Sequence, residues 1–260
     1  APLSGDDAFV RTFRVEEPNA FMRTAFIDAL AREGVTVAAP AVAPNPLDLL
    51  PEPGSYPAGS QVAGFESPPY AQFARLVLKV SLNLGANLSL SLFGVEEGAD
   101  DIDGALAAER ETLVGEFGLD PDQFEFPTNG SGTPDSEAAP RALVDLLIAM
   151  QDTDVADLFL QALPIMGVDG SLATTGVDLP ATGKVFAKTG TLVFVSALAG
   201  YATAPNGKRL AFAIFTANED KRAASDRATQ DSPPGAAVWN RKAKKLQQAL
   251  IERWVGVYAG

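Results

Sequence analysis

Apolar residues at Phe21, Ala25, Phe26, Ala29 and Leu30 recur at helical spacing, after Pro18 and before Gly34. Proline suits the first turn of a helix and glycine its end. Residues 9–15 (FVRTFRV) and 35–37 (VTV) on either side read as strands, which predicts a β-α-β piece. Pro40, Pro44, Pro46, Pro51, Pro53 and Pro57 follow, a run that cannot sit inside regular structure and marks a boundary or long connector. From Pro68-Pro69 a strongly apolar helical stretch begins. Residues 71–80 (AQFARLVLKV) are good helix formers, and the pattern continues to Leu88. Residues 140–150 and 155–163 are two more helical runs. The period then changes to two. Residues 183–192 (GKVFAKTGTL), 196–203 and 208–216 are alternating or apolar, with Pro205-Asn206-Gly207 as a hairpin turn between the last pair. An amphipathic helix over residues 236–254 closes the chain, its polar side carrying Lys242, Lys244, Lys245 and Arg253. Helices come first, an antiparallel meander next and a covering helix last. That order is α+β.

Composition narrows the chemistry. The 260 residues include neither histidine nor cysteine. Disulfides, thiol nucleophiles, Cys/His zinc sites and every Ser-His-Asp arrangement are thereby excluded. Covalent catalysis would have to pair Ser or Thr with Lys, Asp, Glu or Tyr. A net charge of -13 argues against nucleic acid and anionic membrane as partners. Eleven of the 33 acidic residues fall within 95–125, where Arg110 is the one basic residue; like charges at that density read as a solvated face. Asp101-Ile102-Asp103-Gly104 hints at a calcium loop, but its first ligand position would be Ala99 and its twelfth Arg110, so the reading is rejected.

Two tripeptides stand out. Lys188-Thr189-Gly190 puts a lysine into an alternating strand beside Val185, Phe186, Ala187 and Leu192. Gly190 leaves the backbone approachable, and Thr189 and Thr191 offer hydroxyls, a combination suited to a peptide's C-terminal carboxylate. An edge-strand lysine that discourages aggregation is the plainer alternative. Ser81-Leu82-Asn83 sets two short polar residues inside the apolar helical stretch, either as part of a site or as a helix break with local hydrogen bonds. Asn129-Gly130-Ser131-Gly132 reads as a turn.

Together these motifs resemble a family. Ser-x-x-Lys, Ser-x-Asn and Lys-Thr-Gly form the signature set of penicillin-binding proteins and class A β-lactamases. Residues 11–15, 67–69, 78–84, 129–132, 187–192 and 196–201 look, in order, like the low-molecular-mass penicillin-binding proteins of the S13 type, which are D-alanyl-D-alanine carboxypeptidases and endopeptidases. The resemblance implies an α+β penicillin-binding-protein/β-lactamase-like catalytic domain over 56–260, incomplete, preceded in 1–55 by the end of an inserted smaller domain and its Pro-rich connector. It implies Ser81 in the proton path between nucleophile and leaving group, and Asn83 hydrogen-bonding the substrate backbone. Lys188 would supply positive charge and assist proton transfer, and Thr189 would bind the terminal carboxylate. Gly190 and the Thr191 N–H would belong to the substrate-binding strand, the latter as half of an oxyanion hole. A lysine-activated serine suits a chain without histidine.

One part of the pattern is missing. No serine in the chain is followed three residues later by lysine, and Ser131 fits no Gly-x-Ser-x-Gly motif because position 129 is Asn. The resemblance therefore implies the C-terminal portion of a longer protein, with its nucleophile elsewhere. The implied partners are a peptidoglycan stem peptide ending in D-Ala-D-Ala, β-lactams as acylating inhibitors, and the N-terminal portion of the same protein; no nucleic acid and no metal or organic cofactor is implied. Such a substrate places the protein in the periplasm or otherwise outside the cytoplasmic membrane. A non-catalytic peptidoglycan-peptide binder and a related β-lactamase or esterase are the alternatives.

Overall fold

The computed structural model describes residues 15–52, 54–128, 135–225 and 233–258. The chain divides into two compact units, Ala1–Phe65 and Glu66–Gly260.

The first unit is built on helix α1 (Pro18–Arg32), with proline in its first turn. The chain after it folds back along the helix: Arg23 Nε donates to Pro40 O at 3.1 Å, Thr24 Oγ1 to Ala41 O at 2.9 Å, and Asn45 Nδ2 to Asn19 O at 3.0 Å. Residues 35–37 are not a strand. Gly34 takes φ +79°, its N–H bonds Ala31 O, and the Val35 N–H bonds Leu30 O at 2.9 Å. These two bonds close a Schellman cap, so the residue expected to start a strand is committed to ending the helix. The other expected strand, 9–15, lies outside the described residues but for Val15, which is not in one.

The second unit opens with α2 (Tyr70–Val80), α3 (Asn83–Glu96) and α4 (Ile102–Gly115). α2 and α3 meet closely because Gly85 has no side chain; a Cβ there would lie 2.4 Å from Val77 Cγ2. Asp101 caps α4, accepting the Gly104 N–H at 2.8 Å, which accounts for the acidic fragment without any ion. A short ribbon, β1 (Phe124–Glu125) with β2 (Glu137–Ala138), leads to α5 (Pro140–Ala149) and α6 (Ala156–Ala162). Three antiparallel strands follow, β3 (Val185–Leu192), β4 (Val195–Thr203) and β5 (Arg209–Ala217), in the order β3-β4-β5. The expected turn joins the last two. Gly207 has φ +84°, the Ala204 N–H bonds Lys208 O at 2.9 Å, and Asn206 Oδ1 accepts the Lys208 N–H at 3.0 Å. A short α7 (Glu219–Ala223) and the 22-residue α8 (Ala236–Val257) complete the unit.

Both faces of the sheet are covered. On one, Val185, Ala187, Leu198, Phe212 and Ile214 pack with Met166 and Leu172 against Ile251 and Val255 of α8. On the other, Tyr201 packs with Leu147 of α5, Leu163, and Phe159 and Leu160 of α6, with Phe186 against them. The Tyr201 hydroxyl donates to Leu147 O at 2.6 Å, tying α5 to the sheet. Alternation along β3 decides what comes next: Val185 and Ala187 face α8, so Phe186 and Lys188 face the helical block. No described helix is long and apolar enough to cross a membrane.

Candidate active site

The apolar helical stretch of 71–88 breaks at Ser81, as one reading of its polar pair expected. α2 stops at Val80, and Ser81 adopts the left-handed conformation, φ 58° and ψ 53°, before α3 starts at Asn83. The backbone still closes the helix end, with Leu82 N–H bonding Val77 O at 3.1 Å. A non-glycine residue in that region costs about 1–2 kcal/mol and persists only where its surroundings hold it. The turn aims the serine hydroxyl at the sheet. Lys188 Nζ donates to Ser81 Oγ at 2.7 Å and to Thr189 O at 2.7 Å. Burial pushes the Lys188 pKa below the ordinary lysine range, so its proton is more easily given up than an exposed lysine's.

Thr189 lies next along β3, its Oγ1 at 2.9 Å from Ser171 Oγ, a hydroxyl pair in which either can donate. β3 is an edge of its sheet among the described residues. Its outer side is occupied at the start, where Met166 N–H bonds Val185 O at 3.0 Å and Ala187 N–H bonds Pro164 O at 2.9 Å. The same alternation turns the N–H groups of Thr189 and Thr191 to that outer edge, beyond the point where the covering segment ends. Gly190 has a local reason as well: a Cβ there would lie 3.2 Å from Ala197 Cβ on β4. Asn83 is exposed at the first position of α3, two residues beyond Ser81. Of the six residues singled out from the sequence, Ser81 and Lys188 are thus brought into direct contact, and Lys188 also reaches the carbonyl of its neighbour Thr189. Gly190 and Thr191 continue the same strand. Ser131 and the turn read at 129–132 lie outside the described residues.

Three residues at the site were not legible from the motifs. Lys79, only 10% exposed at its side chain, bridges the end of α2 to the segment before β3: its Nζ donates to Leu163 O at 2.6 Å and to Asp169 Oδ1 and Oδ2 at 2.8 and 2.7 Å. Asp169 Oδ1 also accepts the Ile165 N–H at 2.8 Å. Burial pushes the Asp169 pKa up, but the Lys79 and Ile165 hydrogen bonds and the charges of Lys79 and Arg75 outweigh it and hold the carboxyl below its ordinary value. Ser171, two residues on, is the third. A charge inside the apolar run LVLKVSL was the available signal for Lys79; its partner, 90 positions away, had none.

The site thus brings together a lysine of lowered proton affinity, a serine hydroxyl within hydrogen-bond reach, and a strand edge whose N–H groups turn outward, groups chemically able to pass a proton and to pair with an extended peptide. Comparison with known proteins settles the family. The model of the D-Ala-D-Ala carboxypeptidase 3 (S13) family matches residues 5–233. The chain belongs to that family. It is 32% identical over 220 residues to a D-alanyl-D-alanine carboxypeptidase from Actinomadura sp., an alignment covering 82% of this chain and 39% of that relative. Among solved structures it is similar to penicillin binding protein 4 (dacB) from Haemophilus influenzae, at TM-score 0.55 and 19% identity over 69% of this chain and 39% of that one. The same Haemophilus protein complexed with a novel β-lactam matches at TM-score 0.52 and 22% identity, over 69% and 41% of the two chains. These likenesses show the α+β penicillin-binding-protein-like fold. The S13 chain described here spans about two-fifths of the length of the relatives it matches.

Proposed function

We propose that this chain is the C-terminal part of a serine-type D-Ala-D-Ala carboxypeptidase or endopeptidase acting on peptidoglycan stem peptides, with its nucleophile in a Ser-x-x-Lys segment outside these residues. The observation that carries the reading is the 2.7 Å hydrogen bond from Lys188 to Ser81, which joins the two motifs the chain does contain. In this reaction the nucleophilic serine Oγ bonds to the carbonyl carbon of the penultimate D-Ala, and the C–N bond to the terminal D-Ala breaks. The proton leaving the nucleophile's hydroxyl passes through Ser81 and Lys188 to the departing nitrogen, and water then cleaves the acyl ester, returning a proton to the serine and leaving the shortened peptide's carboxylate. Thr189 holds the substrate's terminal carboxylate, Asn83 bonds its backbone, and the Thr191 N–H, beside Gly190 on the open edge of β3, meets the developing oxyanion.

The partner in this reading is the rest of the polypeptide. Leu84, Leu88, Leu92 and Val95 recur along α3 and are all exposed, an apolar stripe that supports a further protein segment packing beside Ser81. β-Lactams are acylating inhibitors here, supported by the family and by the Haemophilus relative's β-lactam complex. A peptidoglycan substrate places the protein outside the cytoplasmic membrane. The second reading, a binder of stem peptides without turnover, is favoured by the absence of Ser-x-x-Lys from the chain. Penicillin labelling of the polypeptide that joins this chain to a Ser-x-x-Lys segment decides between them. A penicilloyl adduct on a serine outside these residues supports the peptidase. An adduct on Ser81 or Ser131 contradicts it, and peptide binding with no adduct selects the binder.

A further inference from the structure

Ser81 is held against Lys188 by more than their own hydrogen bond. Two residues before Ser81, Lys79 leaves α2 and ends in a half-closed cage made of Leu163 O and both oxygens of Asp169. Two residues after Asp169, Ser171 reaches Thr189. Between them, Gly170 (φ +60°) lies so close to α2 that a Cβ would stand 2.7 Å from Lys79 O. The end of α2, the 163–171 segment and β3 are therefore fastened in series, and the same segment pairs with the start of β3 through Ile165 and Phe186. Lys79 is buried but Asp169 is one-third exposed, and an ion pair so placed adds little net stability, because desolvation of the lysine and solvent screening at the carboxylate offset the attraction. What it does supply is direction. A lysine with three donors all occupied fixes the α2 terminus, and hence the left-handed turn at Ser81, relative to the sheet.

We propose that Lys79 and Asp169 are positioning residues that set the Ser81 turn against Lys188 and the Ser171–Thr189 hydroxyl pair. The proposal rests on the peptidase reading for its catalytic consequence, but not for its geometry. The groups facing Lys188 are the Ser81 hydroxyl from the end of α2 and the Thr189 carbonyl from its own strand; no acidic side chain pairs with it among the described residues. Displacing the Ser81 turn therefore opens Lys188 to water, and its depressed proton affinity returns toward the ordinary lysine value.

The test uses Lys79→Met and Asp169→Asn together, since each alone strands a charge or a donor and risks the fold. The double variant keeps shape, leaves no buried charge unpaired, and retains an acceptor for the Ile165 N–H. Lys188 is titrated in the 260-residue chain by pH-dependent acetylation with acetic anhydride, read peptide by peptide. Penicillin acylation is measured in parallel in the polypeptide carrying Ser-x-x-Lys. The expected result is a cooperative unfolding transition like the parent's, an upward shift of the Lys188 midpoint, and acylation slowed at least tenfold. An unchanged Lys188 midpoint in the folded double variant overturns the proposal, because a pair that serves stability alone would leave that titration where it was. A shifted midpoint in a protein whose parent is never acylated supports the positioning role and overturns the peptidase reading instead.

Discussion

Lys188 and Ser81 lie 107 positions apart and meet side chain to side chain, Nζ donating to Oγ at 2.7 Å. Each is irregular within its own element. The lysine sits part-buried in a β-strand after the apolar run Val185-Phe186-Ala187, and the serine holds a left-handed backbone where a helix breaks. Their meeting explains both irregularities at once, as strained or buried polar residues at functional sites commonly do.

Burial of Lys188 has a consequence for stability. Its native pKa is lowered by desolvation, so the unfolded chain binds this proton more readily than the folded one. The group opposes folding fully below its native pKa, and that opposition fades as pH rises to the ordinary lysine value. Lys188→Met is expected to melt at or above the parent's temperature at pH 7, with the gap narrowing at alkaline pH in scanning calorimetry. A variant less stable by the same margin at every pH speaks against burial as the cause.

Gly85 sets the corner that presents Ser81 and Asn83. A Cβ at this position would meet Val77 Cγ2 at 2.4 Å and Leu82 Cδ2 at 3.3 Å. Gly85→Ala is expected to destabilise the fold by about 1–3 kcal/mol through overpacking in urea unfolding. Wild-type stability in that variant would show that α2 and α3 separate more easily than their spacing indicates.

Tyr201 ties the sheet to α5 through its 2.6 Å bond to Leu147 O, at a side chain only 1% exposed. Tyr201→Phe keeps the packing and removes the donor, so a loss of about 1–3 kcal/mol is expected for the carbonyl left without it. Equal unfolding midpoints for the two proteins would mean that another donor satisfies Leu147.

The acidic fragment at 101–104 offers a simpler check. Asp101 is a helix cap, so Asp101→Ala should lower stability by about 1 kcal/mol. Added calcium should leave the melting temperature of the parent unchanged. A calcium-dependent rise would refute the cap-only account of this segment.

The three-stranded meander and its final turn were legible in the sequence because their determinants are local: alternating burial, and Asn206-Gly207 where a positive φ is needed. The break at Ser81 was one of two readings of its polar pair, but its left-handed backbone was not legible, since a serine enters that region under tertiary constraint and not by propensity. Residues 35–37 misled because a β-branched triplet looks like a strand, whereas Val35 gives its N–H to the helix cap. Lys188 and Thr189 were found through their motif. Lys79, Asp169 and Ser171 were not, because their meaning lies in a pairing across 90 positions that no periodicity encodes.

The central claim is that Ser81 and Lys188 act as one proton relay. A double-mutant cycle on penicillin acylation, using Ser81→Ala, Lys188→Ala and both together in the polypeptide that carries Ser-x-x-Lys, tests it most directly. The account predicts that each single change slows acylation at least a hundredfold, on the order of 3 kcal/mol, and that the double change is little worse than either. Independent, multiplying losses, or single variants acylated at the parent's rate, would contradict it.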